Sequence, residues 1–240
     1  MQTPGYVALS RQISLTRALA ITANNIANLD TPGFKRQSML FDEHVTNTGD
    51  AKVSYVTEIG TARDLTPGAM NVTQAPLDFA IQGEGYFSVE TPIGVRYGRG
   101  GHFQLNAASE IVTKNGYRLL GEDGAPIVSP DNERNITVEK GGVVRAGNAQ
   151  IGRIQVVTFE NQHGMIHTAD GLLKTDQEPL PSEDATILQG AVERSNVNPV
   201  MALVTMLDLQ KDYQGIHRMI KAENDRLTRG IREIGRVEQG

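Results

Sequence analysis

The sequence predicts an α+β fold: N- and C-terminal helices forming a coiled-coil-like assembly domain, with a central all-β domain inserted between them. Three observations lead there. Small apolar residues recur at helical spacing near the N-terminus, an apolar repeat of seven runs through the last segment, and short strand-like runs broken by turn residues fill the middle. On this reading the 240 residues divide into an assembly helix and turn over 1–36, an extended connector over 37–70, a β domain over 71–187 and an assembly helix over 188–240.

The first helix is expected to start at Thr3-Pro4, a capping hydroxyl followed by a proline that suits the first helical turn. From there Leu9, Ile13, Thr16, Ala20, Ala23 and Ala27 recur at spacings of three and four, giving a narrow face that another helix can approach closely. The pattern stops at Asn28, because Pro32 in Thr31-Pro32-Gly33 cannot continue a helix and disfavours helical geometry at Thr31. The stretch "NNIANLDTPGFKR" then turns basic. Asn24 and Asn28 are four apart, and Asn25 and Asn28 three apart, so their amides can bond freed carbonyls or reach an adjacent helix. Lys35 and Arg36 are candidates for contact with a neighbouring subunit.

From Val53 to Ile187 the composition shifts to Gly, Thr, Val and Asn, with runs such as "DFAIQGEGYFSVE" and "GRIQVVTFE" separated by Thr91-Pro92, Asn115-Gly116 and Asp123-Gly124. Phe79 and Ile81, Phe87 and Val89, and Ile154 and Val156 alternate with other residues, as half-buried strands require.

The last segment carries the strongest periodicity. Met206, Tyr213, Ile220, Leu227 and Ile234 follow at seven-residue steps, with Ala202, Leu209 and Ile216 completing a second series that fails at Glu223 and Gly230. A helix from about Asn198 to about Arg236 is far longer than the usual dozen residues, and a stripe that long needs a partner helix.

Composition narrows the function. The formal net charge of -5 offers no basic field for nucleic acid. No run of apolar residues is long enough to span a lipid bilayer, and the N-terminal segment lacks the pattern of a cleaved secretory signal. With no Cys there is no disulfide framework. His163 and His167 have the spacing of a helical zinc pair, but Gly164 argues against a helix there. "GEGYF" and "GRGGHF" are read as tight β turns, since no helix start follows either to meet a phosphate. No catalytic constellation, cofactor site or metal site is expected, and the chain is read as a non-enzyme.

"ANNIANLDTPGFKR" resembles the N-terminal motif of the axial proteins of the bacterial flagellum. "NVTQAPLDFAIQGEGYFSV" is similar to the family's Leu-Asp-x-Ala-Ile-x-Gly-x-Gly-aromatic-Phe signature, "VTKNGYRLLGEDGAPI" to its next β segment, and "GAVERSNVNPV" to its entry into the C-terminal helix. Two stretches depart from the pattern: "YGRGGHF" stands where Tyr-Thr-Arg-x-Gly-x-Phe is usual, and "DLQKDYQ" replaces a segment ending Arg-x-Tyr-Glu. By length and by its N-terminal start the chain is similar to the long basal-body rod proteins, of proximal more than distal type.

The resemblance implies a structural subunit of the hollow rod that crosses the periplasm and transmits torque from motor to hook. Its partners would be other copies, the short proximal rod subunits and the distal rod protein. It would leave the cell through the flagellar type III export apparatus without a cleaved signal. The assembly interface would take in Asn24, Asn25, Asn28, Lys35 and Arg36 with Met206, Leu209, Tyr213, Ile216, Ile220 and Leu227. A rival of another class, a periplasmic carbohydrate-binding β module with helical arms, would want aromatic platforms from a chain with no Trp, 6 Tyr and 6 Phe.

Overall fold

A computed structural model describes residues 3–48, 51–130, 133, 135–168, 170–182 and 184–237. The chain forms two compact units, one from the terminal segments with residues 37–62, the other from 28–36 with 63–197. The architecture is α+β, two long helices at the ends of the chain and a β-rich region between them.

In the first unit, helix α1 (Thr3–Ala27) starts at the expected Thr3-Pro4 and stops ahead of the Thr31-Pro32-Gly33 turn. Helix α2 (Pro199–Val237) opens on a proline, and Asn198 caps it: its Oδ1 accepts from Met201 N–H at 3.1 Å and its carbonyl from Ala202 N–H at 3.0 Å. The two helices pack against each other. Where the sequence suggested an extended connector, strands β1 (Gln37–Thr48) and β2 (Ala51–Arg63) pair into a two-stranded ribbon. Pairing satisfies backbone groups that a lone extended chain would leave to water. Interspersed charges such as Asp42, Glu43, Lys52 and Glu58 blur the alternation that would have announced it.

The second unit is built round a nine-stranded antiparallel sheet. Its central strand, Tyr86–Thr91, turns through Pro92-Ile93 into Gly94–Gly98, with Thr91 Oγ1 donating to Gly94 O at 2.6 Å and Gly94 at φ +104°. Gly116 and Gly124 also have positive φ, at the Asn-Gly and Asp-Gly turns read from the sequence. The strand Phe79–Gln82 pairs with Thr186–Gln189, setting Ile81 opposite Ile187.

The apolar positions singled out by alternation enter one core. Phe79, Ile81, Phe87 and Val89 pack with Phe103, Ile111, Leu119, Ile127 and Ile154, and Phe103 stacks on Phe79 at 5.4 Å and meets Phe87 edge-on at 5.5 Å. The central strand is more buried than a half-buried reading allows. Its opposite face presents Tyr86 to a second cluster with Tyr97, Val157, Phe159, Met165 and Leu173. "GRGGHF" is part of this interior as well: a Cβ on Gly101 would stand 2.0 Å from the Phe79 carbonyl oxygen, so only glycine lets the chain pass.

Truncating Phe87 removes the ring that lies between the central strand and Phe103. Phe87→Ala is expected to cost about 3–5 kcal/mol. Native-state hydrogen exchange should show the loss in amides of Tyr86–Thr91 and Phe103–Leu105, and unchanged protection there would contradict this account of the core.

Candidate assembly interface

Each terminal helix has two distinct faces. On α1 the buried positions are Ala8, Leu15 and Thr22, at seven-residue steps, with Gln12, Leu19 and Ile26 half-buried beside them. On α2 Ala202, Met206, Leu209, Tyr213, Ile216, Ile220 and Glu223 are half-buried, at alternating steps of four and three, with Gly215 half-buried beside Ile216. The stepped positions are those the heptad reading selected, together with Glu223, where that reading ended. Gln12 Nε2 donates to Tyr213 OH at 3.2 Å across the helix pair, and Arg11 lies 3.9 Å from Asp212 at its exposed edge. Leu227 lies on α2, but its side chain and that of Ile234 fall outside the described residues.

The face of α1 that the sequence marked for close helix approach is the other one. Leu9, Ile13, Thr16, Ala20, Ala23 and Ala27 are all exposed, Leu9 by 51% and Ile13 by 49%. On α2, Val200, Leu203, Val204 and Leu207 are likewise exposed, so Leu207 is not covered within the chain. A single partner helix covers one stripe of each helix and leaves the second stripe in water.

The junction 28–36 is held tightly inside the second unit. Thr31 donates to Asn28 through its N–H at 3.3 Å and its hydroxyl at 3.0 Å, and Gly33 N–H donates to Glu193 O at 2.8 Å. Gly33 has φ +70°, and a Cβ there would meet the Arg99 carbonyl carbon at 2.4 Å. Asn196 accepts from Arg36 N–H at 2.7 Å, and the exposed Arg36 guanidinium pairs with Asp64 at 3.0 Å. In the first unit Asn25 is also internal: it exchanges two bonds with the Gln37 backbone, at 2.8 and 2.9 Å, and is 6% exposed.

Lys35, a candidate in the sequence for contact with a neighbouring subunit, is buried within the chain, its ammonium donating to Glu193 Oε1 at 2.6 Å and to Thr66 O at 2.8 Å. Glu193 is 1% exposed, and its other oxygen accepts from Arg99 Nε at 2.6 Å. Gly68 N–H donates to Oε1 at 2.8 Å, while the rest of the Arg99 fork reaches the carbonyls of Gly85, Gly83 and Ile81 at 2.8, 3.0 and 3.1 Å. Burial alone would raise the Glu193 carboxyl, but Arg99, Lys35 and the Gly68 N–H outweigh it and hold it below the usual carboxylate range. Arg99 and Glu193 escaped sequence reasoning because one sits in a stretch read as turns and the other in a three-residue strand, Ala191–Glu193. The signal that could have found Glu193 is a lone acid after Ala191-Val192 in a strand buried at every position. Tyr97 to Phe103, where the sequence departs from the family pattern, is also largely internal, with Tyr97, Arg99 and Phe103 buried.

Comparison with known proteins supplies the context for these faces. The family described as "Flagella basal body rod protein" matches residues 6–35, "Flagellar hook protein FlgE/F/G D1 domain" matches 80–146, and "Flagellar basal body rod FlgEFG protein C-terminal" matches 188–233. The FlgF rod protein of Caulobacter vibrioides is 34% identical over 97% of this chain and 98% of its own length. The chain belongs to the flagellar basal-body rod protein family. FlgF of Mesorhizobium japonicum is 30% identical over 98% of this chain and 99% of its own length, and FlgG of Buchnera aphidicola from Acyrthosiphon pisum 30% over 87% and 91%. The first and last matched segments take in most of α1 with its junction and most of α2, so the helix faces and the Lys35–Glu193 pair both lie in rod-protein sequence.

Glu193→Gln leaves two cations buried against a neutral amide and is expected to destabilise the second unit by about 3–5 kcal/mol at neutral pH. Because the folded carboxyl titrates below its unfolded value, its stabilisation is complete above the ordinary Glu value of about 4.3 and is lost as pH falls through the folded value. Denaturant melts of both forms across pH should therefore converge only in acid. A gap that is absent at pH 7, or that persists undiminished in strong acid, would refute the assignment.

Proposed function

We propose that this chain is the proximal-rod subunit of the flagellar basal body, polymerising with its own copies and other rod proteins into the shaft that crosses the periplasm. The observation that carries this reading is the exposed small-residue stripe on α1, Leu9 to Ala27 at helical spacing, beside a helix pair that leaves it uncovered. Neighbouring subunits bury it by packing their helices alongside, in coiled-coil fashion, with Val200, Leu203, Val204 and Leu207 of α2 as the second contact. Met206, Leu209, Tyr213, Ile216 and Ile220 form the seam that α1 half-covers within the chain, and further helices complete it along the heptad that Leu227 continues in sequence. Each fully buried aliphatic side chain contributes about 1.5–3 kcal/mol, so several per helix offset the cost of ordering long helices.

The proximal assignment is supported by the FlgF relatives of Caulobacter vibrioides and Mesorhizobium japonicum, which align with 97% and 98% of this chain. Arg36, exposed and paired at the surface with Asp64, lies where a neighbour can reach it, whereas Asn25 and Lys35 are buried. Export through the flagellar type III apparatus completes the reading.

Two pairs of substitutions separate assembly from folding. Leu9→Asp with Ile13→Asp should leave the helical circular dichroism of the purified chain unchanged while abolishing rod completion and swimming, read by electron microscopy of basal bodies and by soft-agar motility. Ile216→Asp with Ile220→Asp should also weaken helix protection in the free chain, since those residues face α1. Wild-type motility from the Leu9 and Ile13 pair would sink the proposal.

A further inference from the structure

Within the second unit Phe34, Arg63, Tyr86, Lys114 and His167 help to wall a cavity of about 220 Å³. We propose that this cavity is a binding site for a small oxyanion, a carboxylate or phosphate group, held by the Arg63 guanidinium and the His167 imidazole. The inference does not rest on the rod reading, because every residue in it belongs to the second unit.

Charge is the first argument. Arg63 is 6% exposed, and its guanidinium donates to the Gln162 carbonyl but meets no carboxylate among the described residues. The buried carboxylates are engaged elsewhere: Glu193 with Lys35 and Arg99, Asp78 with His102 at 2.7 Å and with the Thr73 hydroxyl. Asp170, at the rim, accepts from Tyr117 OH at 2.7 Å. A buried cation without an anion is costly, and a dipole such as the Gln162 carbonyl offsets only part of that cost.

The second argument is His167, whose Nε2 is buried and has no hydrogen-bond partner among the described residues, while its ring lies 6.2 Å from that of Phe34. Burial, and then the Arg63 charge, hold the imidazole down to about 4, so it is neutral at neutral pH. An oxyanion between the two groups accepts from both and removes the cause of that depression. Of the charged and titratable groups that line the cavity with His167, Lys35 and Arg99 are paired with Glu193, His102 with Asp78, and Asp170 accepts from Tyr117, which leaves Arg63 and the exposed Lys114 as the cations without a carboxylate among the described residues. Gln162 holds the site's geometry by accepting from both Arg63 and Tyr86 OH, the latter at 2.9 Å. Lys114 is exposed, so the wall it forms opens to solvent.

The test is proton NMR of the imidazole resonances of the full chain, with His167 assigned through His167→Gln. Phosphate and acetate are titrated separately at ionic strength fixed with chloride. A saturable shift of the His167 resonance, with its titration midpoint moving up from about 4, is expected with at least one anion. A response to acetate alone identifies a carboxylate site, and a response to phosphate alone a phosphate site. Arg63→Gln should weaken binding about tenfold or more. If that variant does not fold, Arg63→Lys, which keeps the charge but loses the fork, should give a smaller loss. No saturable shift with either anion, or affinity unchanged in the Arg63 variant, overturns the proposal.

Discussion

One carboxylate holds together chain segments that are far apart in sequence. Glu193 binds Lys35 from the N-terminal junction, Arg99 from the centre of the β region and the Gly68 amide that follows the β1–β2 ribbon, and Arg99 in turn binds the carbonyls of Ile81, Gly83 and Gly85. The Gly33 amide reaches the Glu193 carbonyl, so backbone and side chain of one residue anchor the whole Thr31 to Lys35 turn. Desolvating three charged groups is expensive, and the arrangement is tolerable only because nearly every donor has an acceptor. It also fixes register: a slip of one residue in the strand Ala191–Glu193 would send the acid to the opposite face.

That anchor governs where the helices begin and end. The chain leaves α1 at Ala27, enters the second unit for residues 28–36, and returns to pair Gln37 with Asn25. At the other end, Asn196 accepts from Arg36 N–H and donates to the Asp64 carbonyl two residues before Asn198 caps α2. Both assembly helices therefore start or stop within a few residues of a turn held by buried charge and amide bonds.

Much of this was legible in the sequence, for reasons that differ by element. The α2 stripe was readable because a long helix repeats its exposure pattern many times, and Met206, Tyr213 and Ile220 fall where the periodicity places them. The core strands were readable because Phe79, Ile81, Phe87 and Val89 obey the two-residue period. What escaped was information that periodicity does not carry. Lys35 looked like a surface charge because its counterion lies 158 residues away. The amide of Asn25 looked spare because its partner is the backbone of Gln37, and any residue supplies a backbone. The β1–β2 ribbon escaped for the related reason that pairing is a property of two segments, and neither announces it alone.

The division between buried and exposed polar residues in the junction motif carries the last step. A basic pair beside a helix end invites one role for both charges, yet the structure separates them. Lys35 points into the cluster, and Arg36, the next residue, points out to Asp64 with a side chain 53% exposed. Alternation along an extended backbone enforces that split, since consecutive side chains face opposite ways. The same logic applies to the helix faces, where positions that look equally apolar are buried or exposed by the side of the helix they occupy. A motif built this way divides its charges: Lys35 helps to hold the β unit together, and Arg36 forms an ion pair at the surface.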